Sequence, residues 1–288
     1  METGLNFRTR KGQEDYIKAY DKSMELWSNP YTERYIDTSF GKTHVIVCGD
    51  MANKPLVLLH AASCGATIWY PNATYLSKDY CIYAVDLISE ASKSILMKKI
   101  KTPSESAQWL NETFDALDLD EFHLCGLSIG GWNATNYAIH YPHRVSNLIL
   151  LSPIQTLTKM YFKFFFKIMK MGFHPTRENV ENYIGWGSAK EAPLPDSVIT
   201  QFIISVMNVN SNAAFPKMIK SNQLKNLIMP TMILLGENEF AFNISKAITV
   251  AKSSISNLEI DVIKNASHLI SVSAPDIVNC KISEFLGH

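Results

Sequence analysis

Short apolar runs alternate with amphipathic segments along most of the chain. The apolar runs are residues 55–60, 80–86, 121–125 and 145–151. The segments between them with helical spacing are residues 67–76, 104–117 and 131–140. Apolar runs that are nearly continuous are typical of strands buried on both faces. We therefore predict an α/β fold, with a mostly parallel sheet covered by helices on both sides.

The same pattern divides the chain into three parts. A helix at residues 13–27 and a hairpin at 35–48 precede the alternation, and strands at 231–235 and 258–263 resume it. The helices predicted after these two strands are residues 243–252 and 275–286. The intervening stretch is helical in character and rich in Phe and Met. We predict core segments at 1–151 and 227–288, and a helical cap or lid inserted at 152–226.

Residues 159–171 of this insertion are both basic and aromatic. One interpretation is a helix that lies on a membrane surface. The other is a cap helix whose apolar face lines a substrate pocket while its lysines face water. We prefer the cap helix, because the stretch lies within a folded insertion.

Composition narrows the possible functions. The 288 residues are 47% apolar, and the 27 Lys and Arg balance the 27 Asp and Glu, which argues against a nucleic-acid partner. The five cysteines are scattered without a C-x-x-C pair, so no metal site is predicted. No apolar run approaches the ~18 residues that a membrane span needs. The first residues are charged and have no apolar stretch, so we predict a cytoplasmic protein.

The pentapeptide Gly126-Leu127-Ser128-Ile129-Gly130 has the form G-x-S-x-G between a predicted strand and a predicted helix. A serine at such a turn adopts a strained backbone that exposes its hydroxyl above the sheet. A serine hydroxyl is a weak nucleophile, so it needs a base and an acid that orients the base. In this arrangement the acid and the histidine follow the serine along the chain. Ser128 is therefore the candidate nucleophile.

Candidates for the acid and the base follow the late strands. Glu237 and Glu239 lie in the turn after the strand at 231–235. His268 lies between the last predicted strand and helix, where small neighbours leave room for the imidazole. The other histidines fit less well, and we predict His268 as the base. The backbone N–H of Ile129 is one expected oxyanion donor, and the loop at 61–65 should supply the second. Cys64 in that loop is expected to be a packing residue rather than a reactive thiol.

These motifs resemble those of the α/β-hydrolase superfamily, in particular its small bacterial carboxylesterases. The matching segments are Phe40-Gly41-Lys42-Thr43-His44, Leu58-Leu59-His60, Tyr83-Ala84-Val85-Asp86, Gly126-Leu127-Ser128-Ile129-Gly130-Gly131, Gly236-Glu237-Asn238-Glu239 and Lys264-Asn265-Ala266-Ser267-His268-Leu269. The resemblance implies a sheet of about eight strands, a helical lid after the sixth, and hydrolysis of small-molecule carboxylic esters without a cofactor. It favours Glu239 over Glu237 as the acid, and Ala62 as the second oxyanion donor. Ala61 and Ser267 depart from the family pattern, which has glycine at both positions.

The lid aromatics Tyr161, Phe165, Trp186 and Phe202 are expected to contact an uncharged, apolar part of the substrate. Thioesterase or lactonase activity on the same scaffold is an alternative. A ligand sensor that keeps the serine, histidine and acid but acts through a partner is another. Dehalogenation is disfavoured, since it normally requires an aspartate in place of Ser128. The sequence gives no prediction of oligomeric state.

Overall fold

The computed structural model describes residues 4–173, 175–187, 194–210 and 216–287, apart from the side chains of 182 and 185–187. The strands of its central sheet are β1 (Tyr31–Thr38), β2 (Gly41–Cys48), β3 (Pro55–Leu59), β4 (Cys81–Val85), β5 (Ile95–Leu96), β6 (Phe122–Leu127), β7 (Val145–Leu151), β8 (Thr231–Gly236) and β9 (Leu258–Ile263).

The helices lie on both faces of this sheet and above one of its edges. They are α1 (Arg10–Met24), α2 (Tyr70–Leu76), α3 (Pro103–Asp115), α4 (Ile129–His140), α5 (Phe162–Phe173), α6 (Arg177–Gly187), α7 (Asp196–Asn208), α8 (Ser221–Leu224), α9 (Ile244–Ser254), α10 (Ile270–Ser273) and α11 (Pro275–Leu286). Short 3₁₀ turns occur at Ala66–Trp69 and Pro142–Arg144.

The sheet has the order β1-β2-β4-β3-β6-β7-β8-β9, and β5 pairs with β2 beside this path. The six strands from β4 to β9 along that order run parallel, whereas β1, β2 and β5 pair antiparallel. Carboxyl ends of parallel strands meet at one edge, so the turns after β3, β6 and β8 lie together. This edge carries the candidate site.

Alternate residues of the buried strands enter two separate apolar layers. In β3, for example, Val57 and Leu59 pack into one layer, and Leu56 and Leu58 into the other. All four side chains are fully buried. The near-continuous apolar runs in the sequence follow from this, because both faces of each central strand need apolar side chains.

Local sequence signals set the helix ends. Thr102 caps α3, with its hydroxyl accepting the Glu105 N–H while the Glu105 carboxylate accepts the Thr102 N–H. Pro103 occupies the first position of that helix, where its missing N–H costs nothing. The Asn243 side chain caps α9 by accepting the Lys246 N–H. These interactions satisfy backbone donors that would otherwise lack partners.

The segment before α1 joins the core to the cap helices. The buried Asn6 side chain donates to the carbonyls of Glu90 and Ser94, each at 3.0 Å. Phe7 forms an antiparallel bridge with Val209, directly after α7. The Arg8 guanidinium donates to several backbone carbonyls, those of Gly172, Met207 and Val209.

The predicted α/β architecture, with a mostly parallel sheet of about eight strands, is confirmed. The helices of residues 152–226 fall between β7 and β8. The sixth predicted strand is β7 in the structure, because the two-residue β5 was not predicted. The helix predicted at 67–76 begins as a 3₁₀ turn. In the part of the chain that the structure describes, no helix is both long and apolar enough to span a membrane.

Candidate active site

Ser128 occupies the turn between β6 and α4, with φ 55° and ψ −113°. A positive φ is uncommon for any residue except glycine, and at this turn it directs the side chain away from the sheet. The Ser128 N–H donates to the Leu151 carbonyl at 2.9 Å. A Cβ on Gly126 would overlap the carbonyl oxygen of Gly130, and one on Gly130 would overlap that of Leu59. Glycine is therefore needed on both sides of the serine.

His268 and Glu239 complete a hydrogen-bonded chain with this serine. His268 Nε2 lies 2.8 Å from Ser128 Oγ, and Nδ1 lies 2.9 and 2.7 Å from the two oxygens of Glu239. Because ionised carboxylate oxygens can only accept hydrogen bonds, Nδ1 carries the proton. Nε2 is then free to accept the serine hydroxyl proton.

The surroundings keep the Glu239 carboxylate charged although it is buried. Burial alone would raise the pKa of Glu239, but the adjacent His268 and the Ala241 N–H, which donates to Oε1 at 2.8 Å, lower it below its ordinary value. Its side chain is fully buried, and that of His268 is 5% exposed. The rings of Phe240 and Phe164 lie against the imidazole, with centroids 5.4 and 6.2 Å away. The charged form of Glu239 is therefore maintained in an environment that excludes water.

Glu237, the alternative acid, lies elsewhere. It is exposed, and its carboxylate accepts the Asn265 N–H at 2.9 Å instead of contacting His268.

The loop after β3 and the start of α4 present the two predicted oxyanion donors. Ile129 is the first residue of α4, so its N–H has no partner within the helix. Ala62 is exposed, and among the described residues its N–H donates to no protein acceptor. Both residues line one cavity.

The buried His60 holds the start of this loop. Its Nε2 accepts the Leu87 N–H at 2.9 Å, so the proton is on Nδ1, which donates to the Ala61 carbonyl at 2.7 Å. Burial lowers the pKa of His60 and keeps it neutral for both bonds.

Asp86 holds the far end of the loop. Its carboxylate accepts the Ala66 N–H at 2.7 Å and contacts His44 Nδ1 at 2.8 Å. Burial would raise the pKa of Asp86, but the bond and charge of His44 lower it overall. Between these supports, burial raises the pKa of Cys64 to about 12, so its thiol stays protonated near neutral pH.

A cavity of about 270 Å³ opens beside the serine turn. Its apolar lining from the core includes Ile100, Ile129 and Trp132. Its apolar lining from residues 152–226 includes Ile154, Met160, Ile168, Met171, Val206 and Val209. Charged groups of Arg8, Lys101 and Lys217 also line it, and the remaining, mostly apolar wall suits an apolar group next to Ile129, the residue after Ser128.

Three of the predicted lid aromatics lie in the cap but outside the lining of this cavity. Tyr161 is exposed, Phe165 is half-buried, and Phe202 is buried with its ring stacked on Tyr183 at 6.1 Å. None of these three lines the cavity within the described residues. The side chain of Trp186 lies outside the described residues. In the described residues, aliphatic and Met side chains of the cap line the cavity.

The stretch that allowed two interpretations forms α5. Ile168 and Met171 face the cavity, and Lys163 and Lys170 are exposed. The spacing of three residues between Ile168 and Met171 is the signal that could have identified them as lining residues. Phe162 lies exposed on the outer side of the helix.

Comparisons with known proteins identify the family of this chain. A family model described as the alpha/beta hydrolase fold matches residues 54–182. Carboxylesterase nap of Bacillus subtilis is 35% identical over 94% of this chain and 92% of its own length. Carboxylesterase YbfK of the same organism is 30% identical over 99% of this chain and 95% of its own.

Solved structures give the same result. The crystal structure of carboxylesterase CesB (YbfK) from B. subtilis superimposes with a TM-score of 0.92 at 28% identity, covering 96% of this chain and 99% of that one. Naproxen esterase (carboxylesterase NP) from B. subtilis also gives 0.92, at 32% identity over 97% of this chain and 100% of that one. The predicted family resemblance is confirmed: the chain belongs to the α/β-hydrolase superfamily, as a serine hydrolase of the carboxylesterase type.

Proposed function

We propose that this enzyme cleaves carboxylic esters with a catalytic triad of Ser128, His268 and Glu239, through an acyl-enzyme intermediate. The observation that carries the proposal is the unbroken chain from Ser128 Oγ to His268 Nε2 at 2.8 Å, and from Nδ1 to Glu239 at 2.7 Å. A nucleophile, a base and an orienting acid within hydrogen-bond distance are what acyl transfer requires.

Acylation begins when Ser128 Oγ attacks the ester carbonyl carbon and His268 Nε2 takes its proton. Glu239 keeps the second imidazole proton on Nδ1 and stabilises the imidazolium that forms. The tetrahedral oxyanion accepts hydrogen bonds from the N–H groups of Ile129 and Ala62. Collapse of this intermediate releases the alcohol, which leaves with the proton from His268.

Deacylation repeats these steps with water as the nucleophile. His268 removes a proton from water, which attacks the acyl carbon, and the second tetrahedral intermediate then expels Ser128 Oγ. The serine recovers its proton from His268, and the carboxylic acid departs. No further group enters this scheme.

The cavity supports a substrate with an uncharged, apolar acyl or alcohol part. Its cap-side lining includes Met160 and Met171, whose flexible side chains adapt to aliphatic groups. The similarity to a naproxen esterase is consistent with a small-molecule ester. We assign residues 152–226 as the cap over this cavity, with 1–151 and 227–288 forming the hydrolase core.

Labelling with a fluorophosphonate probe tests the nucleophile directly. We expect the label on Ser128 alone, loss of label and turnover in Ser128→Ala, and no change in Ser253→Ala, an exposed serine on α9. Hydrolysis of p-nitrophenyl esters of increasing acyl length then shows which acyl chain length the cavity accepts best. Continued ester cleavage by Ser128→Ala would reject the assignment. One slow turnover per molecule, with cap movement on ligand binding, would favour a ligand sensor.

A further inference from the structure

A carboxylate outside the triad contacts the loop at residues 61–65, which carries the proposed oxyanion donor Ala62. Glu90 follows β4, and its Oε2 accepts the backbone N–H of Ser63 at 3.1 Å. Ser63 directly follows Ala62 and has φ 61°, in the left-handed region that a serine rarely adopts. Such a conformation costs energy and persists only where neighbouring groups hold it. The bond from Glu90 is an interaction of this kind.

The Glu90 backbone is itself held in place. Its N–H donates to the Leu87 carbonyl at 2.9 Å, and its carbonyl accepts from the Asn6 side chain at 3.0 Å. The same Asn6 amide also donates to the Ser94 carbonyl, and Asn6 is fully buried. The backbone of Glu90 is therefore fixed, and its carboxylate reaches Ser63 from a defined position.

The position of Ser63 controls that of its neighbour. The peptide that carries the Ser63 N–H is the one that joins Ala62 to Ser63, so a bond to this N–H limits rotation of the Ala62 backbone. We propose that Glu90 is a positioning residue for ester hydrolysis, because its carboxylate holds the backbone that aims the Ala62 N–H at the oxyanion. The inference rests on the proposed function, since it concerns the same oxyanion hole.

The electrostatic setting gives this role a pH dependence. Burial raises the pKa of Glu90 to about 7, which the Ser63 N–H only partly opposes. The titratable groups facing it are Tyr16 of α1 and Cys64 of the loop, and burial raises the pKa of both. The cations Arg8, Lys101 and Lys217 line the same cavity. An ionised carboxylate accepts a hydrogen bond more strongly than a protonated one, so the loop is held more firmly above pH 7.

Three variants separate this role from general stability. Glu90→Gln keeps the shape but imitates the protonated, uncharged group. Glu90→Asp restores the charge with a side chain one methylene shorter. Glu259→Gln, at an exposed position of β9, is the control for loss of a carboxylate. For each we would measure kcat and KM from pH 5.5 to 9, the rate of fluorophosphonate labelling, and the melting temperature.

We expect Glu90→Gln to lower kcat roughly 10-fold at pH 8. KM should be nearly unchanged, because the oxyanion that the Ala62 N–H binds is absent from the bound substrate and develops only in the transition state. The part of the fall of kcat below about pH 7 that comes from protonation of Glu90 in the wild type should be absent from Glu90→Gln. Glu90→Asp should recover part of the rate. Burial disfavours a charged carboxylate, so Glu90→Gln should melt no lower than the wild type at pH 8.

Two results would overturn the assignment. One is a Glu90→Gln enzyme with the kcat and pH profile of the wild type. The other is a loss of kcat matched by a lower melting temperature and not recovered by Glu90→Asp, which would indicate a structural role. Failure of the proposed function is distinct, because the wild type would then show neither Ser128 labelling nor turnover.

Discussion

Replacement of Glu239 by glutamine is expected to disable the enzyme through the tautomer of His268. One carboxylate oxygen, Oε1, accepts the Ala241 N–H at 2.8 Å and lies 2.9 Å from His268 Nδ1, whereas the other, Oε2, is nearer to that nitrogen, at 2.7 Å. In Glu239→Gln the amide oxygen must stay on the Ala241 N–H, since an NH₂ group there would meet another donor. The NH₂ group then faces Nδ1 and donates to it.

This orientation sets the size of the effect. With Nδ1 forced to accept, the imidazole proton moves to Nε2, which can no longer take the proton of Ser128. In chymotrypsin-type serine proteases, the equivalent change of the acid to its amide lowers kcat about 10⁴-fold. We expect a loss of 10³–10⁴-fold here, or about 4–5.5 kcal/mol of transition-state stabilisation. KM should change little, because Glu239 is buried behind the imidazole.

Glu237→Gln provides the matched control from the same turn. Glu237 is exposed, and a glutamine oxygen could still accept the Asn265 N–H, so kcat should stay within about 2-fold. Steady-state hydrolysis of p-nitrophenyl acetate between pH 6 and 9 measures both variants, with circular dichroism to verify folding. A Glu239→Gln enzyme that retains a tenth of the activity would refute the reasoning. A large loss in Glu237→Gln alone would transfer the role to Glu237.

Gly130→Ala, with Gly172→Ala as its control, tests the serine turn, and Ile168→Ala tests the cavity. Gly130→Ala places a Cβ against the Leu59 carbonyl and should cost about 1–3 kcal/mol in urea unfolding, with reduced activity. Gly172→Ala in α5, where a Cβ meets nothing within 4 Å, should be neutral or slightly stabilising, and equal effects would contradict the steric argument. Ile168→Ala enlarges the cavity from the cap side and should move the preferred p-nitrophenyl ester to a longer acyl chain. An unchanged chain-length profile would exclude the cavity as the acyl site.

The parts of this molecule that could be predicted from sequence are those governed by local pattern. The apolar runs gave the central strands because burial on both faces leaves a periodic trace, and Ser128 stood out because its turn requires flanking glycines. Glu239 and His268 could be proposed from their order along the chain. The two-residue β5 was not predictable, because two residues are too few to show a period.

Interactions between distant segments produce no comparable pattern in the sequence. Nothing near Glu90 in the sequence indicates that its carboxylate reaches Ser63, 27 positions earlier. The predicted aromatics Phe165 and Phe202 belong to cap helices, but periodicity alone does not tell which side of such a helix faces the cavity. The side that faces the cavity depends on how the cap packs on the core, and that packing is determined by contacts between residues far apart in the sequence.

The segment before α1 has a consequence for how this enzyme could be re-engineered. Arg8 lines the cavity and also donates to the carbonyls of Gly172, at the end of α5, and of Met207, at the end of α7. The position of the cap above Ser128 therefore depends on the segment that precedes α1, far from the cap helices in sequence. Libraries that vary the length or rigidity of this segment could alter substrate range while every residue of the triad and the cap stays unchanged.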